Sequence, residues 1–223
     1  DKEYALSVVH ANGDMALQLQ LESSVTRDDG TRVFKMKDKV QPLYVSVCYR
    51  VRPQSEIIET WTEITNQEKK AVRLTRFDSG SLLIRRGNVW VSHLYGSWAN
   101  EGMLCEEPLN AGMLVIENKD GVRNSHTSHG EIMISLDGKP RENSGDVIGA
   151  AICYTGNYKL RLNTHDDEFH QLFAGINEEA SEYNLAKGET FVTPVLALTF
   201  SREGLSGASR NFHKWGRKYM LAH

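Results

Sequence analysis

Cysteine is scarce in this 223-residue chain: Cys48, Cys105 and Cys153 are an odd number at wide spacings. They form neither a disulfide framework nor a zinc pattern. Two of them lie in strand-like apolar runs, where a buried free thiol is the ordinary use. That usage leans towards a reducing compartment, so the chain is expected in the cytoplasm, with the periplasm open if a native start is missing. Positive charge is not in excess either. Lys+Arg 26 against Asp+Glu 29 leaves a formal net charge of −3, with a pI near 6.3. Nothing in that balance is the electrostatic footprint of a nucleic-acid or anionic-membrane partner. No run approaches the roughly 18 consecutive apolar residues of a membrane helix, and the opening "DKEYALSVVHANGD" lacks the basic-then-apolar order of a signal peptide. Repeats, low-complexity tracts and Pro/Ser-rich linkers are missing too, which argues for one domain.

What is present is an ordinary globular balance, 40% hydrophobic and 25% charged, over a length able to bury about 70% of its unfolded surface without staples. The dominant period is two. "MALQLQLESSV" puts Leu17, Leu19 and Leu21 on one face and Gln18 and Gln20 on the other, and "LYVSVCYRV" and "EIIETWTEIT" alternate likewise. Further strands are expected at 71–77, 81–86, 88–94, 131–136, 147–154, 158–164, 169–176 and 190–200. Alternation with β-branched and aromatic enrichment suits half-buried antiparallel strands. "ANGD", "RDDG", "NKDG", "LDGK", "YTGN" and "AKGE" supply the turns between them. The expected class is all-β, an antiparallel sandwich over 1–203. The exception is 204–223, where Phe212, Trp215 and Tyr219 recur at i, i+3 and i+7 and predict a C-terminal connector helix. Ser206 or Ser209 is its expected cap, and Gly216 weakens it by about 1 kcal/mol relative to Ala.

Chemical signatures are few. The phosphate-cradling G-x-x-x-x-G-K-[ST] and the metal-binding H-E-x-x-H are absent. "GLSG" at 204–207 is one residue short of a nucleophile elbow and lacks the strand that would aim its serine. "RNSHTSHGE" carries His126 and His129 three apart with Glu131 nearby, but local sequence supplies no third ligand or second shell, so no metal or cofactor is expected. Asp166, Asp167 and Glu168 read as solvated charge at a turn. Glu101, Glu106 and Glu107 follow an aromatic cluster, yet spacing alone cannot set the roughly 5 to 10 Å that a glycosidase carboxylate pair needs. No catalytic residue is assigned. The cluster itself, "SHLYGSWANEG" at 92–102, is the densest chemical feature. Its Tyr95 and Trp98 suit core packing, an interdomain contact or stacking on a sugar ring.

Four ordered segments carry a resemblance. "HLYGSWANEG" is similar to the "LSGSWANE" stretch of family 36 glycoside hydrolases, the bacterial α-galactosidases. "RNSHTSHGEIMISL" resembles their "RGxSSHxHNPFxAL", keeping Arg123, Ser125, His126 and His129. "GDVIGAAICYTGNYKLRL" is similar to "GEVYGFxLxYSGNxxxxV", and 175–220 follows the family's "GIN…TP…GLxGMSRxFH" run almost without a gap. The opening "KEYAL" is similar to "REPAL". Glu178 in place of the Pro after "GIN", Val195 in place of the acid after "TP" and "HGEI" in place of "HNPF" mark a divergent subgroup.

The resemblance implies an N-terminal β-supersandwich joined by a helix to a (β/α)8 barrel that holds both catalytic aspartates. It implies that the barrel lies beyond residue 223, with the family's loop before "REPAL" preceding residue 1. Tyr95, Trp98, Asn100, Glu101, Arg123, His126 and His129 are then expected to face that barrel, a second subunit of a homo-oligomer or a galactoside. Two other readings stand beside this one. A free-standing carbohydrate-binding module would use Trp98 and Tyr95. An aldose mutarotase would use His126 or His129 as acid or base, by fold analogy alone.

Overall fold

The computed structural model describes residues 3–123, 126–164, 168–179 and 181–221. Two antiparallel sheets face each other. The smaller comprises β1 (Leu6–Val9), β6 (Val72–Arg85), β13 (Phe169–Ile176), β12 (Tyr158–Thr164) and β9 (Gly112–Glu117) in that order, with β14 (Tyr183–Leu185) also on β6. The larger runs β2 (Leu19–Thr26), β3 (Arg32–Asp38), β4 (Leu43–Arg52), β5 (Ile57–Asn66), β16 (Val195–Ser201), β11 (Val147–Cys153), β10 (Ser128–Ser135), β7 (Trp90–Ser97) and β8 (Asn100–Pro108). A short β15 (Thr190–Val192) adds to β5.

Alternation makes the core. Val91, Ile132, Ile134, Ala150 and Ile152 of the large sheet meet Leu160, Leu162, Leu172 and Ala174 of the small one, all buried in one cluster. Each of these strands gives every second side chain to the interior. A second cluster, built on Leu43, Ile64, Val72, Leu74 and Phe77, closes the other end. The two-layer antiparallel architecture is the one the periodicity predicts.

Several expected boundaries differ. The segments 71–77 and 81–86 are one 14-residue strand, β6, because its first half pairs β1 and β14 while its second half pairs β13. The expected strand 190–200 breaks at Thr193-Pro194, where proline has no N–H to give a ladder. Thr193 compensates: its N–H donates to the Thr62 carbonyl at 2.9 Å and its Oγ1 accepts from the Thr62 N–H at 2.9 Å. Strands β1, β3, β8, β9 and β14 were not expected. On β2, Leu21 is exposed although its alternation is regular, because β2 is an edge strand with little above it.

A helix, α1 (Gly204–Trp215), follows β16 and widens into a π-helical turn over Gly216–Met220. Its start corrects the expected cap. Ser206 and Ser209 lie inside the helix, and the first N–H groups are met instead by backbone carbonyls of a neighbouring loop. Gly204, Leu205 and Ser206 donate to Gly145, Arg141 and Glu142 at 3.1, 3.1 and 2.9 Å. The expected apolar spacing holds: Phe212, Trp215 and Tyr219 pack with Ile57, Ala197 and Cys153.

Candidate functional site

The β7–β8 hairpin carries the aromatic cluster. Its strands pair from Trp90↔Pro108 to Ser97↔Asn100, with a register shift beside Gly96. A side chain at Gly96 would lie 2.7 Å from the Asn100 carbonyl oxygen and 2.8 Å from the Glu101 Cα, so only glycine lets the strands close here. At the tip Ala99 takes φ 61°, and its N–H donates to a Glu101 carboxylate oxygen at 3.1 Å.

This turn holds Trp98 out in solvent at 84% exposure, with Tyr95 below it at 46%. Asn100 and Glu101 are exposed on the same tip. The loop before β10 comes alongside: the Gly96 N–H donates to the Thr127 carbonyl at 3.1 Å, and His126 Nδ1 stands 3.9 Å from Glu101 Oε1. Five of the seven expected site residues are thus gathered at one end of the hairpin. Arg123 is exposed on the approaching loop, and His129, on β10, is turned to Glu131 at 3.6 Å. Ser125, Asp166 and Asp167 lie outside the described residues. Glu106 and Glu107 are successive residues of β8 and so point to opposite faces, which separates them as a carboxylate pair.

The outer face of the large sheet holds a feature that sequence reasoning missed. Between α1 and the β7–β8 hairpin runs an apolar groove of about 810 Å³, lined by Leu104, Met133, Cys153, Phe212, Trp215 and Met220 among others. One wall depends on Glu59, a buried carboxylate of β5. It accepts from Trp215 Nε1 at 2.8 Å, Arg52 Nε at 2.7 Å and Arg50 at 2.7 Å. Burial alone would raise the Glu59 pKa, but the bonds from Arg52, Trp215 and Arg50 outweigh it and hold the carboxyl below its ordinary range. The groove's other wall is the hairpin's outward row, including Leu94 and Leu104, which pair across the strands. Its two charged lining carboxylates are each engaged: Glu142 accepts from Ser206, and Glu131 lies beside His129. Cys153, on the floor, has its thiol pushed up to about 11 by burial and then by Glu59, which favours the protonated thiol. Strand alternation could have flagged the hairpin's apolar row, but the groove needs the helix placement, which no local pattern encodes.

Comparison with known proteins gives the family. The model of the glycosyl hydrolase family 36 N-terminal domain matches residues 2–186. The bifunctional alpha-galactosidase/sucrose kinase AgaSK of Mediterraneibacter gnavus is 28% identical over 187 residues, covering 83% of this chain and 20% of the relative. Alpha-galactosidase Mel36A of Lactobacillus acidophilus is 28% identical over 198 residues, covering 86% and 26%. Among solved structures, the alpha-galactosidase AgaA of Geobacillus stearothermophilus superposes with a TM-score of 0.92 at 22% identity, over 100% of this chain and 33% of that one. This chain therefore spans a fifth to a third of the proteins it is similar to, and they carry further domains beyond the matched part. By the extent of the family match and the sandwich it folds into, the chain belongs to the family 36 N-terminal domains of glycosyl hydrolases.

Proposed function

We propose that this chain is the non-catalytic N-terminal domain of an α-galactosidase that cleaves terminal α-D-galactosides with retention of configuration. In that reading a (β/α)8 barrel of the same polypeptide supplies both catalytic carboxylates, and hydrolysis passes through a galactosyl-enzyme intermediate. The observation that carries it is the family match over residues 2–186 together with the small share of each relative that this chain spans. The groove and the hairpin tip are the surface offered to the barrel and to a second subunit of a homo-oligomer. Exposed Trp98 and Tyr95 at the hairpin tip, together with an apolar trough bordered by the hairpin's other row, are the composition of an interface before it is covered. Three free thiols suit a cytoplasmic enzyme.

A second reading draws on the same exposure. Trp98 at 84% offers an open ring face on which a sugar could stack, as in a carbohydrate-binding module. One set of measurements separates the two. Residues 1–223, purified, are expected to show no turnover of an aryl α-galactoside and no saturable heat on titration with melibiose or raffinose. Turnover would overturn the non-catalytic assignment. Saturable heat lost in Trp98→Ala would establish the binding module in its place.

A further inference from the structure

The hairpin has a second face. His93 lies two residues from Val91, a core residue, so its side chain leaves the strand on the inner side while its backbone borders the groove. Across the ladder it pairs directly with Cys105, and Glu107 follows two residues on, on the same face. One imidazole nitrogen, the thiol sulfur and one carboxylate oxygen all lie within 4.8 Å of one another. His93 Nε2 stands 3.3 Å from Glu107 Oε1, and Cys105 Sγ stands 3.9 Å from that oxygen. Among the described residues this is the group of three with such spacing.

We propose that His93, Cys105 and Glu107 form a site for a zinc-class divalent cation. The donor set of one nitrogen, one thiolate and one carboxylate oxygen is that of a borderline-soft ion, not of magnesium or calcium. Tetrahedral bonds of about 2.0 to 2.3 Å place ligand atoms roughly 3.3 to 3.8 Å apart, so modest side-chain rotations close the triad on an ion. The backbone need not move, because the cross-strand register already sets the Cβ positions. Binding replaces the thiol proton with the metal, and that proton leaves to the buffer. The Glu107 side chain is 43% exposed, which leaves the fourth position to water. His93 Nδ1 is buried and meets no partner among the described residues, so the bond that normally fixes a ligating imidazole is missing. Losing such support lowers metal affinity by about 10- to 100-fold. Sequence spacing could not show this site, since its ligands meet only through the hairpin register.

Cobalt is the direct probe. Titrating the 223-residue chain with Co²⁺ should give a thiolate-to-cobalt charge-transfer band in the near ultraviolet, together with strong visible bands of a tetrahedral centre. One equivalent of Zn²⁺ should erase both, with release of a proton. Cys105→Ser should abolish the charge-transfer band, and His93→Gln should weaken binding at least tenfold. Cys153→Ser, which changes a thiol on the opposite face, should leave the band in place. Circular dichroism of each variant separates loss of ligation from loss of fold. A wild-type titration without the band, or a band that survives Cys105→Ser in a folded protein, overturns the assignment. Neither result bears on whether the chain serves an α-galactosidase.

Discussion

Arg161 is the largest of the fully buried side chains, and it is charged. It sits on the face of β12 away from the core residues Leu160 and Leu162, with its guanidinium carbon 5.0 Å from the centre of the Phe173 ring. One of its nitrogens donates to Asp78 Oδ2 at 2.5 Å, while Glu3 and Glu178 approach the other at 3.4 and 3.7 Å. An isolated charge in this place would cost several kcal/mol, and removing one partner of such a pair typically costs about 3 to 5 kcal/mol. Arg76 and Lys159 share the cluster, standing 3.6 and 3.2 Å from Glu178. Burial, reinforced by Glu178 and opposed by Arg161 and Arg76, pushes the Asp78 carboxyl up to about 7. A raised acid binds its proton more tightly folded than unfolded. Its stabilising contribution is therefore complete below the ordinary value of 3.8 and declines as pH rises to about 7. Asp78→Asn, a fixed analogue of the protonated acid, should lose this dependence. In urea melts from pH 4 to pH 8, the stability of wild type relative to Asp78→Asn is expected to fall across that window; a gap that grows with pH would refute the reading.

Helix α1 shows how one residue decides the placement of an element. Phe212 closes on β11 at Gly149, where a Cβ would come within 2.6 Å of the Phe212 ring and 2.9 Å of Thr199 Cγ2. Gly149→Ala should therefore lift the helix or tilt the ring, at a cost of about 1 to 3 kcal/mol. Denaturation with Trp215 as reporter, in a background lacking Trp61, Trp90 and Trp98, should show the loss together with a more solvated indole; an unchanged midpoint and spectrum would mean the helix is held otherwise. The helix was legible in advance because Phe212, Trp215 and Tyr219 recur at helical spacing, and the sandwich was legible because period two runs along strands such as β4 and β5. Its cap was not, since the donors at Gly204–Ser206 are satisfied by the carbonyls of Arg141, Glu142 and Gly145, some sixty residues away. The same limit hid β8 and the His93–Cys105–Glu107 group. "NEGMLCEEP" has a weak strand pattern alone, and it becomes a strand by pairing with β7. At the tip, resemblance and aromatic density singled out Trp98 and Tyr95, and both are exposed. The Glu59 hub left no local mark, because its three donors come from β4 and from the end of the chain.

Across the whole molecule the two sheets differ in what they leave uncovered. The inner faces pack into clusters at the two ends, while the outer face of the large sheet bears the helix and the groove, and the hairpin at its edge projects with Tyr95, Trp98, Met103 and Leu104 all exposed. Apolar side chains clustered in this way are a liability for a free domain and an asset for one that packs on a neighbour. The proposed docking turns this contrast into a measurement. Leu104 is 57% exposed in this chain, so Leu104→Glu should change the stability of residues 1–223 by no more than about 0.5 kcal/mol. In the longer enzyme proposed above, the same change would place a carboxylate inside a closed interface, with a cost of about 2 kcal/mol or more. The expected signature is a thermal transition in the full-length protein that splits or drops in temperature, while the isolated chain melts as before. Met220→Glu, at another point of the groove and likewise exposed in this chain, should reproduce it. If both substitutions act equally in the two contexts, or in neither, the groove is not where the rest of the enzyme rests. The hairpin's exposure would then have to answer to a ligand that Trp98 itself meets.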